Sequence, residues 1–567
     1  MTDSDPNHSI NTHLYLNRWI AVVHGRVIGV GTSRAQAERA ARQIRPKDKI
    51  EVFFVDSAGQ LNQRAPLRVA PEQWLTQHHL LQRVVNVLHA QQVDAYLVGG
   101  AVRDFLLGRK NIVDLDFAVP VDGVAAARLV ADALDAAYYP LDAERGTGRV
   151  VFDRPAGSSS TRFYLDFASF RGRDLPTDLR DRDFTINAIA LSLTGAPALI
   201  DPLNGLRDLE NGQIKAVSNG AFRRDPVRVI RAVRQAVDFG FSIESRTAEQ
   251  ITQAADLLPL VSAERQRDEL LKLLNTPAPG HAVRQLHRLQ ILPHILPEVA
   301  QMAGVTQSAP HHLDVFEHTL AAMDAWVELN SAGWPDIEET LRPKLPDYLR
   351  TLLPGELPVF KLMPLALLLH DTGKPRTRSQ TGAAGQRKIQ FLGHEKESAE
   401  VTRQVAHRLR LSGVARDFLE TVVLHHLRPG LLSREPSLSR RAIFRFFQAT
   451  DRQTFHAGAA VCLHALADHR ATFAPGQGHQ EEQTLLAVVN RLLAGYFEQR
   501  ERLIEPPPLL SGRELIRELG LKPGPTIGQL LHRLKEAQAT GVVSTRAEAL
   551  AFVQSDPDFA RLQSPDL

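Results

Sequence analysis

Two glycines and two aspartates carry the first chemistry that the chain offers. Gly99 and Gly100 close an apolar run, AYLVGG, and open a helical stretch, AVRDFLLGR. At such a strand-to-helix turn the first N–H groups of the helix are free to hold an anion. The missing side chains let a phosphate come close to the backbone. Asp114 and Asp116 follow in VDLDFAV. Residues two apart on a strand share a face, so both carboxylates point the same way and can hold a pair of Mg²⁺ ions for in-line phosphoryl transfer. A lone Asp-x-Asp is a weak signal, but a glycine pair at a strand-to-helix turn with Asp-x-Asp on the next strand is far more specific. Asp166, in RFYLDFASF, sits where a neighbouring strand could add a third catalytic carboxylate.

A second constellation runs through HHLDVFEHT, LLLHDTGKP, FLGHEKES, VVLHHLRP and ALADH. The pair His370-Asp371 follows the apolar run LALLL, which buries a helix and leaves its end facing a cleft. His318, His370, Asp371 and Asp468 are the imidazole and carboxylate set expected of a divalent transition metal such as Ni²⁺, Mn²⁺ or Co²⁺. His394, His425 and His426 could hold a second metal or a phosphate. One helical histidine is usually structural; an ordered series of this kind is not.

The elements that must position these residues follow from pattern. LNRWIAVVHGRVIGVGT reads as two strands around a His-Gly turn, SRAQAERAARQI as a helix with Ser33 as N-cap, and KIEVFFV as a third strand. This ββαβ module (residues 1–66) carries no chemistry and is similar to a small appendage found in bacterial and archaeal proteins. A helix over about 72–90 leads into a compact α/β unit (72–218), whose further strands RVVF, RFYLDFASF and APALID are interrupted by the polar stretch RPAGSSST. From residue 220 the pattern turns helical and stays so almost to the end. It divides into a neck (219–300), the histidine-rich region (301–500) and, past IEPPPLLSG, a helical tail (501–567) with Ser511 as a cap. The expected class is multidomain α+β, an α/β head before a largely all-α body. One helix is expected from Phe222 to Phe239, with Arg224, Arg228 and Arg231 on one face and no glutamate of its own to pair with them.

At 567 residues several cores are needed. Cys462 is the only cysteine, which leaves no intrachain disulfide and no cysteine-rich zinc site. No stretch is apolar and long enough to span a bilayer, and the polar N-terminus has no signal-peptide pattern. A cytoplasmic, reducing setting is expected. The net charge of +3 decides little, since arginine clusters can bind RNA on a weakly positive protein. Aromatic residues are too few for base-stacking readout of single strands.

The segment LVGGAVRDFLLGR followed by VDLDFAV resembles the first motif of class II tRNA nucleotidyltransferases and bacterial poly(A) polymerases. The order continues. DLRDRDFTINAIAL resembles the second motif, usually RRDxxxN, and DPLNGLRDLENGQIKAV the hinge-like third. FRRDPVRVIRAVRQAVDFGFSIE resembles the fourth, usually EDxxR, and SAERQRDELLKLL the fifth. The resemblance implies a polymerase-β-like head in which Asp114 and Asp116 bind the metals while Gly99, Gly100 and Arg103 hold the triphosphate. It further implies that Arg182, Asp183 and Asn187 contact sugar and phosphate, and that Asp225 and Arg228, with Arg231 near, read the base. Two positions depart from the pattern: Asp181 stands for the first Arg of the second motif, and Arg224 for the Glu of the fourth. The histidine series resembles the HD phosphohydrolase superfamily, in which Lys374 lies near the phosphate.

The expected function is addition of CMP and/or AMP to tRNA 3′ ends from CTP and ATP, with the HD region acting as a metal-dependent phosphohydrolase. Poly(A) synthesis, CC-only or A-only addition, and a phosphohydrolase with a non-catalytic RNA-binding head are the alternatives.

Overall fold

The computed structural model describes residues 10–559, apart from 17, 32–33, 46–47, 57–59, 63–66, 68–69, 110–111, 113, 153–161, 355–356, 382–387, 522 and 558. Its chain divides into two compact units, residues 1–224 with 239–247, and 225–238 with 248–567.

In the first unit, β1 (Arg18–Val23) and β2 (Arg26–Gly31) form the expected hairpin around His24 and Gly25, both at positive φ as a tight turn of this kind requires. The helix Arg34–Ile44 and β3 (Glu51–Val55) complete the ββαβ pattern, and a short β4 (Leu61–Asn62) adds an unanticipated edge, giving the order β2-β1-β3-β4. Ser33, read as the N-cap, lies outside the described residues, as does all of RPAGSSST.

The head follows. The helix expected over 72–90 is two helices, Pro71–Gln77 and His79–Ala90, with the His78 side chain accepting from Leu81 N–H at the second start. Seven strands form one sheet: β5 (Tyr96–Val98), β6 (Asp114–Val119), β7 (Ala137–Asp142), β8 (Thr147–Phe152), β9 (Phe163–Ser169), β10 (Ala190–Ser192) and β11 (Ala198–Ile200), in the order β11-β10-β5-β6-β9-β8-β7. Only β6 and β9 run parallel, with Asp116 opposite Asp166 and Phe117 opposite Phe167. The crossover between them carries the helix Gly123–Leu134, whose first turn is capped by Asp122. β6 alternates as a half-buried strand should: Asp114 and Asp116 face one side, while Leu115 and Phe117 are buried on the other.

The second unit is helical, though the body is not purely so. Ser379–Thr381 pairs with Lys388–Gln390 in a small hairpin, and in the first unit Ser242–Ile243 pairs in parallel with Gln213–Ile214. The long helix expected from Phe222 to Phe239 is broken into Ala221–Arg224 and Arg228–Phe239. Pro226 explains the break, because it lacks an N–H and biases Asp225 before it away from helical ψ. Arg224 therefore does not share a face with Arg228 and Arg231. Acidic partners also come from distant sequence: Arg234 pairs with Glu269 at 2.8 Å as well as with Asp238 at 3.2 Å. The tail packs Gly512–Leu519, Pro525–Thr540 and Arg546–Gln554 around Leu515, Leu530, Leu534 and Val553. Ser511 caps the first of these helices in a reciprocal box with Glu514, as expected. Among the described residues no helix is long and apolar enough to cross a membrane.

Phe117 and Phe167 stack at 4.6 Å beneath the strand that carries Asp114 and Asp116. Phe167→Ala should therefore cost about 3–5 kcal/mol, read as a lower urea midpoint. A midpoint equal to that of the unaltered protein would show that strand pairing alone holds β6.

Candidate functional site

β5 ends at Val98, paired with Asp116 on β6, and the chain turns at Gly99 with φ +74° into the helix Gly100–Leu106. A Cβ at position 99 would lie 3.3 Å from both Asp116 Oδ2 and Arg182 Nη1. The turn is open because the residue has no side chain, and the Arg182 guanidinium and the Asp116 carboxylate both border it. Arg103 is almost wholly buried one turn on. Its Nη1 donates to Asn187 Oδ1 at 2.6 Å, its Nε donates to Asp104 at 3.0 Å, and its guanidinium lies 4.4 Å from the Phe239 ring centre. Burial lowers its pKa and the Asp104 charge opposes that shift. Asn187 in turn donates to Asp183 Oδ1 at 2.9 Å.

Arg182 is held by a residue that the sequence reading missed. The buried carboxylate of Asp178 accepts from Arg182 Nη2 at 2.9 Å and Nε at 3.2 Å, and from the Arg171 backbone N–H at 3.1 Å. The spacing Asp178 to Arg182, i to i+4, was a usable signal. Gly99, Gly100, Arg103, Arg182, Asp183 and Asn187 thus form one connected surface with Asp116. Asp166 lies beside Asp116 across the parallel pair, but Arg149 takes both its oxygens at 2.7 and 2.6 Å. As a third metal ligand Asp166 would have to share its oxygens with Arg149.

In the second unit, Asp225 Oδ2 accepts from Arg265 Nη2 at 2.8 Å, with Arg228 Nε at 3.7 Å. Asp225 Oδ1 is buried with no hydrogen-bond partner among the described residues. Arg228 is buried at the first residue of its helix, whereas Arg231 is exposed. Arg265, from the fifth motif, is a further residue not anticipated.

The histidine series also converges. His318 comes from Val315–Ser331; His370 and Asp371 follow the buried helix Val359–Leu369; His394 begins His394–Arg408; His426 follows Gly413–His425; and Asp468 lies on Gly458–Thr472. His318 Nε2 is 2.9 Å from Asp468 Oδ1. His370 Nε2 is 3.1 Å from Asp371 Oδ2 and 3.3 Å from Asp468 Oδ1, and His394 Nε2 is 3.4 Å from Asp371 Oδ1. Three groups have ligand atoms spaced for a metal ion: His318, His370 and Asp371; His370, His426 and Asp468; and Asp371, His394 and His426. His370, His394 and His426 each point Nδ1 at the carbonyl three residues back (Leu367, Phe391, Val423) at 2.6–2.8 Å. That bond leaves Nε2 as the ligand atom. Burial would lower the His370 pKa, but Asp371 and Asp468 raise it to about 10, while burial drives His426 down to about 3. His370 Nε2 and His394 Nε2 are buried without hydrogen-bond partners and lie 3.1 and 3.4 Å from the buried Asp371 carboxylate, so the donor set fits a divalent cation.

His425 does not join this cluster. Helix geometry turns it away from His426 to a half-buried position near Arg428 and Arg452, and burial with those charges lowers its pKa to about 4. Lys374 is buried, with Nζ 2.7 Å from both Asp371 Oδ2 and Gln307 Oε1. Gly373 is required by space: a Cβ there would lie 2.5 Å from the His394 carbonyl oxygen. Two further histidines were missed. The His464 ring lies 5.1 Å from that of His370, and the His311 ring 5.0 Å from that of His318. His464 precedes Asp468 by four residues on one helix, a spacing that could have revealed it.

Comparison with known proteins accords with this geometry. The poly A polymerase head domain model matches residues 95–215, the probable RNA and SrmB-binding site of polymerase A matches 240–302, and the HD domain matches 361–447. An A-adding tRNA nucleotidyltransferase of Deinococcus radiodurans is 37% identical over 81% of this chain and 95% of its own length. A CC-adding tRNA nucleotidyltransferase of Thermus thermophilus is 34% identical over 81% of this chain and 93% of its own. A solved CCA-adding enzyme in its apo form shares the fold with a TM-score of 0.55, at 20% identity over 86% of this chain and 96% of that one. The chain belongs to the tRNA nucleotidyltransferase family with a poly(A) polymerase-type head, and it is a nucleotidyltransferase.

Because Asp178 accepts from both Nε and Nη2 of Arg182, Asp178→Asn should lower kcat/KM for the nucleotide about tenfold, the worth of one charge-assisted hydrogen bond. Steady-state kinetics beside a melting curve checks this; unchanged kinetics in the folded variant would show that Arg182 needs no such brace.

Proposed function

We propose that this chain adds CMP and/or AMP to tRNA 3′ ends from CTP and ATP, in the cytoplasm, with Mg²⁺ at Asp114 and Asp116. The observation that carries the reading is that Asp116 and Arg182 both border the side-chain-free turn at Gly99, where Gly100–Leu106 begins. Two oxygen donors on one strand face suit hard ions, which supply charge neutralisation at the transferred phosphoryl group. Gly99 and Gly100 leave the backbone N–H groups open to the triphosphate, Arg103 and Arg182 balance its charge, and Asn187 and Asp183 face the sugar. Asp225, with one buried oxygen unpartnered, can accept from the amino group that cytosine and adenine share, while Arg228 donates. Addition of only part of the CCA end is a second reading. It is favoured because the two relatives aligned over 95% and 93% of their lengths are an A-adding and a CC-adding enzyme.

The HD region (301–500) is read as a metal-dependent phosphohydrolase that takes Ni²⁺, Mn²⁺ or Co²⁺. His318, His370, Asp371 and Asp468 would hold one ion, with His394 and His426 offering a second position. The bound cation would polarise a phosphate ester; Lys374 holds Asp371 and adds positive charge there. Cleaning a 2′,3′-cyclic phosphate and then extending the end would make one repair sequence. The five-part division (1–66, 72–218, 219–300, 301–500, 501–567) belongs to the same proposal.

tRNAs ending before C, CC and CCA, offered each nucleotide singly and together, should be extended with C, A or both. Incorporation of UMP or GMP at comparable rates would sink the proposal. Asp114→Ala or Asp116→Ala should lower extension by about 10³-fold or more with the fold intact; substantial residual activity with Mg²⁺ would show that the metal pair lies elsewhere. The double substitution His370→Ala, Asp371→Ala should abolish hydrolysis of 2′,3′-cyclic phosphates and the rise in melting temperature on adding Ni²⁺, while sparing tRNA extension. If the unaltered protein loaded with any of these metals hydrolyses nothing, the HD region is structural.

A further inference from the structure

The two departures from the family pattern are in contact. Arg224 Nε lies 3.1 Å from Asp181 Oδ1, although the residues are far apart in sequence. The second motif usually has arginine where this chain has Asp181, and the fourth usually has glutamate where it has Arg224. Both charges are reversed, and the two reversals meet. Arg224 is fixed at a second point, since its Nη2 donates to Ser218 Oγ at 2.8 Å. Asp181 is also within 3.7 Å of Arg171 Nη1, and its backbone N–H closes the helix Leu175–Arg180 on the carbonyls of Asp178 and Leu179.

From this contact we infer that Asp181 and Arg224 form one polarity-inverted ion pair that positions the base-reading residues. It rests on the reading that Asp225 and Arg228 select the base. On one side the pair is continuous with Arg182 and Asp183, which directly follow Asp181. On the other, Arg224 is the last residue before Asp225 and the Pro226 break. The pair therefore bears on the peptide from which Asp225 leads, at the place where Pro226 lacks the N–H that a continuous helix would bond back to the preceding turn. The side chains are 46% and 39% exposed, so the pair is weak as a stabiliser and its consequence lies in orientation. Its polarity also sets local charge: a cation now precedes the base-reading aspartate where the pattern has an anion, and the matching anion precedes Arg182. Either change alone would set like charges together. Arg171 beside Asp181 adds to the penalty for a second arginine there.

A charge-swap cycle tests this. Asp181→Arg, Arg224→Glu and the double variant are compared for kcat and KM with each of CTP, ATP, UTP and GTP on truncated tRNA, beside thermal unfolding. Each single variant should raise KM for the accepted nucleotide about fivefold and narrow the discrimination between accepted and rejected bases, with kcat within about twofold. The double variant should restore both, and Arg224→Lys should retain most of them. The inference is overturned if the double variant is no better than the worse single variant, or if both single variants match the unaltered protein. Asp225→Ala separates this from the reading beneath it. If that change leaves base choice intact, the base reading and the pair's role fall together; if it abolishes base choice while the swap variants are silent, only the inference about the pair falls.

Discussion

The head depends on a place where no side chain stands. Asp116 and Arg182 both border Gly99, and any Cβ at that position would press on both. Asp114 and Asp116, about 6.6 Å apart along a strand, repel by roughly 2.5 kcal/mol at an effective dielectric of about 20. The strand accepts that repulsion because the surroundings are built to offset it. The helix beginning at Gly100 presents its N-terminus, Arg182 is pinned by Asp178, and Arg103 is locked between Asp104, Asn187 and the Phe239 ring. Charges held this way need not reorganise when an anion arrives, which is the arrangement that lowers barriers for phosphoryl transfer.

The HD cluster solves the opposite problem: it concentrates donor atoms rather than cations. Three histidines use the same device, an Nδ1 contact with the carbonyl three residues earlier, to aim Nε2 inward. Each buried polar atom left without a hydrogen bond costs about 1–3 kcal/mol, and here the Nε2 atoms of His370 and His394 are left so. A fold assembled for stability alone would fill those positions with apolar side chains. Lys374 supplies the one permanent cation against Asp371, and its burial makes that pairing obligatory.

What was legible in the sequence was chemistry written in short segments. Gly99-Gly100, Asp114-x-Asp116 and His370-Asp371 each place their groups by one turn or one strand, so local spacing was sufficient. What was not legible depended on the other side of a contact. Asp178 matters because Arg182 folds back on it; His464 because its helix packs against the one ending at His370; Glu269 because it meets Arg234 from another helix. His425 and His426 could not be told apart by type, and only the helix end decided which faces the cluster. Pro226 was different: its effect on the helix was readable, and the arginine periodicity around it obscured the break.

Two metal environments in one chain also differ in kind, and the difference follows from donor atoms alone. Asp114 and Asp116 offer only oxygen, at the start of a central strand where Asp114 is exposed, a setting that suits an ion reluctant to give up its water. The HD set offers imidazole nitrogen from His318, His370, His394 and His426 around Asp371 and Asp468, all drawn within a buried cluster. Nitrogen-rich sites bind later first-row metals more tightly, and Mg²⁺ competes poorly for them. On the proposed reading, loading of one centre would be set by a different ion from loading of the other. If the HD region hydrolyses phosphate esters as proposed, such separation would let the chain carry both activities without either metal disabling the other.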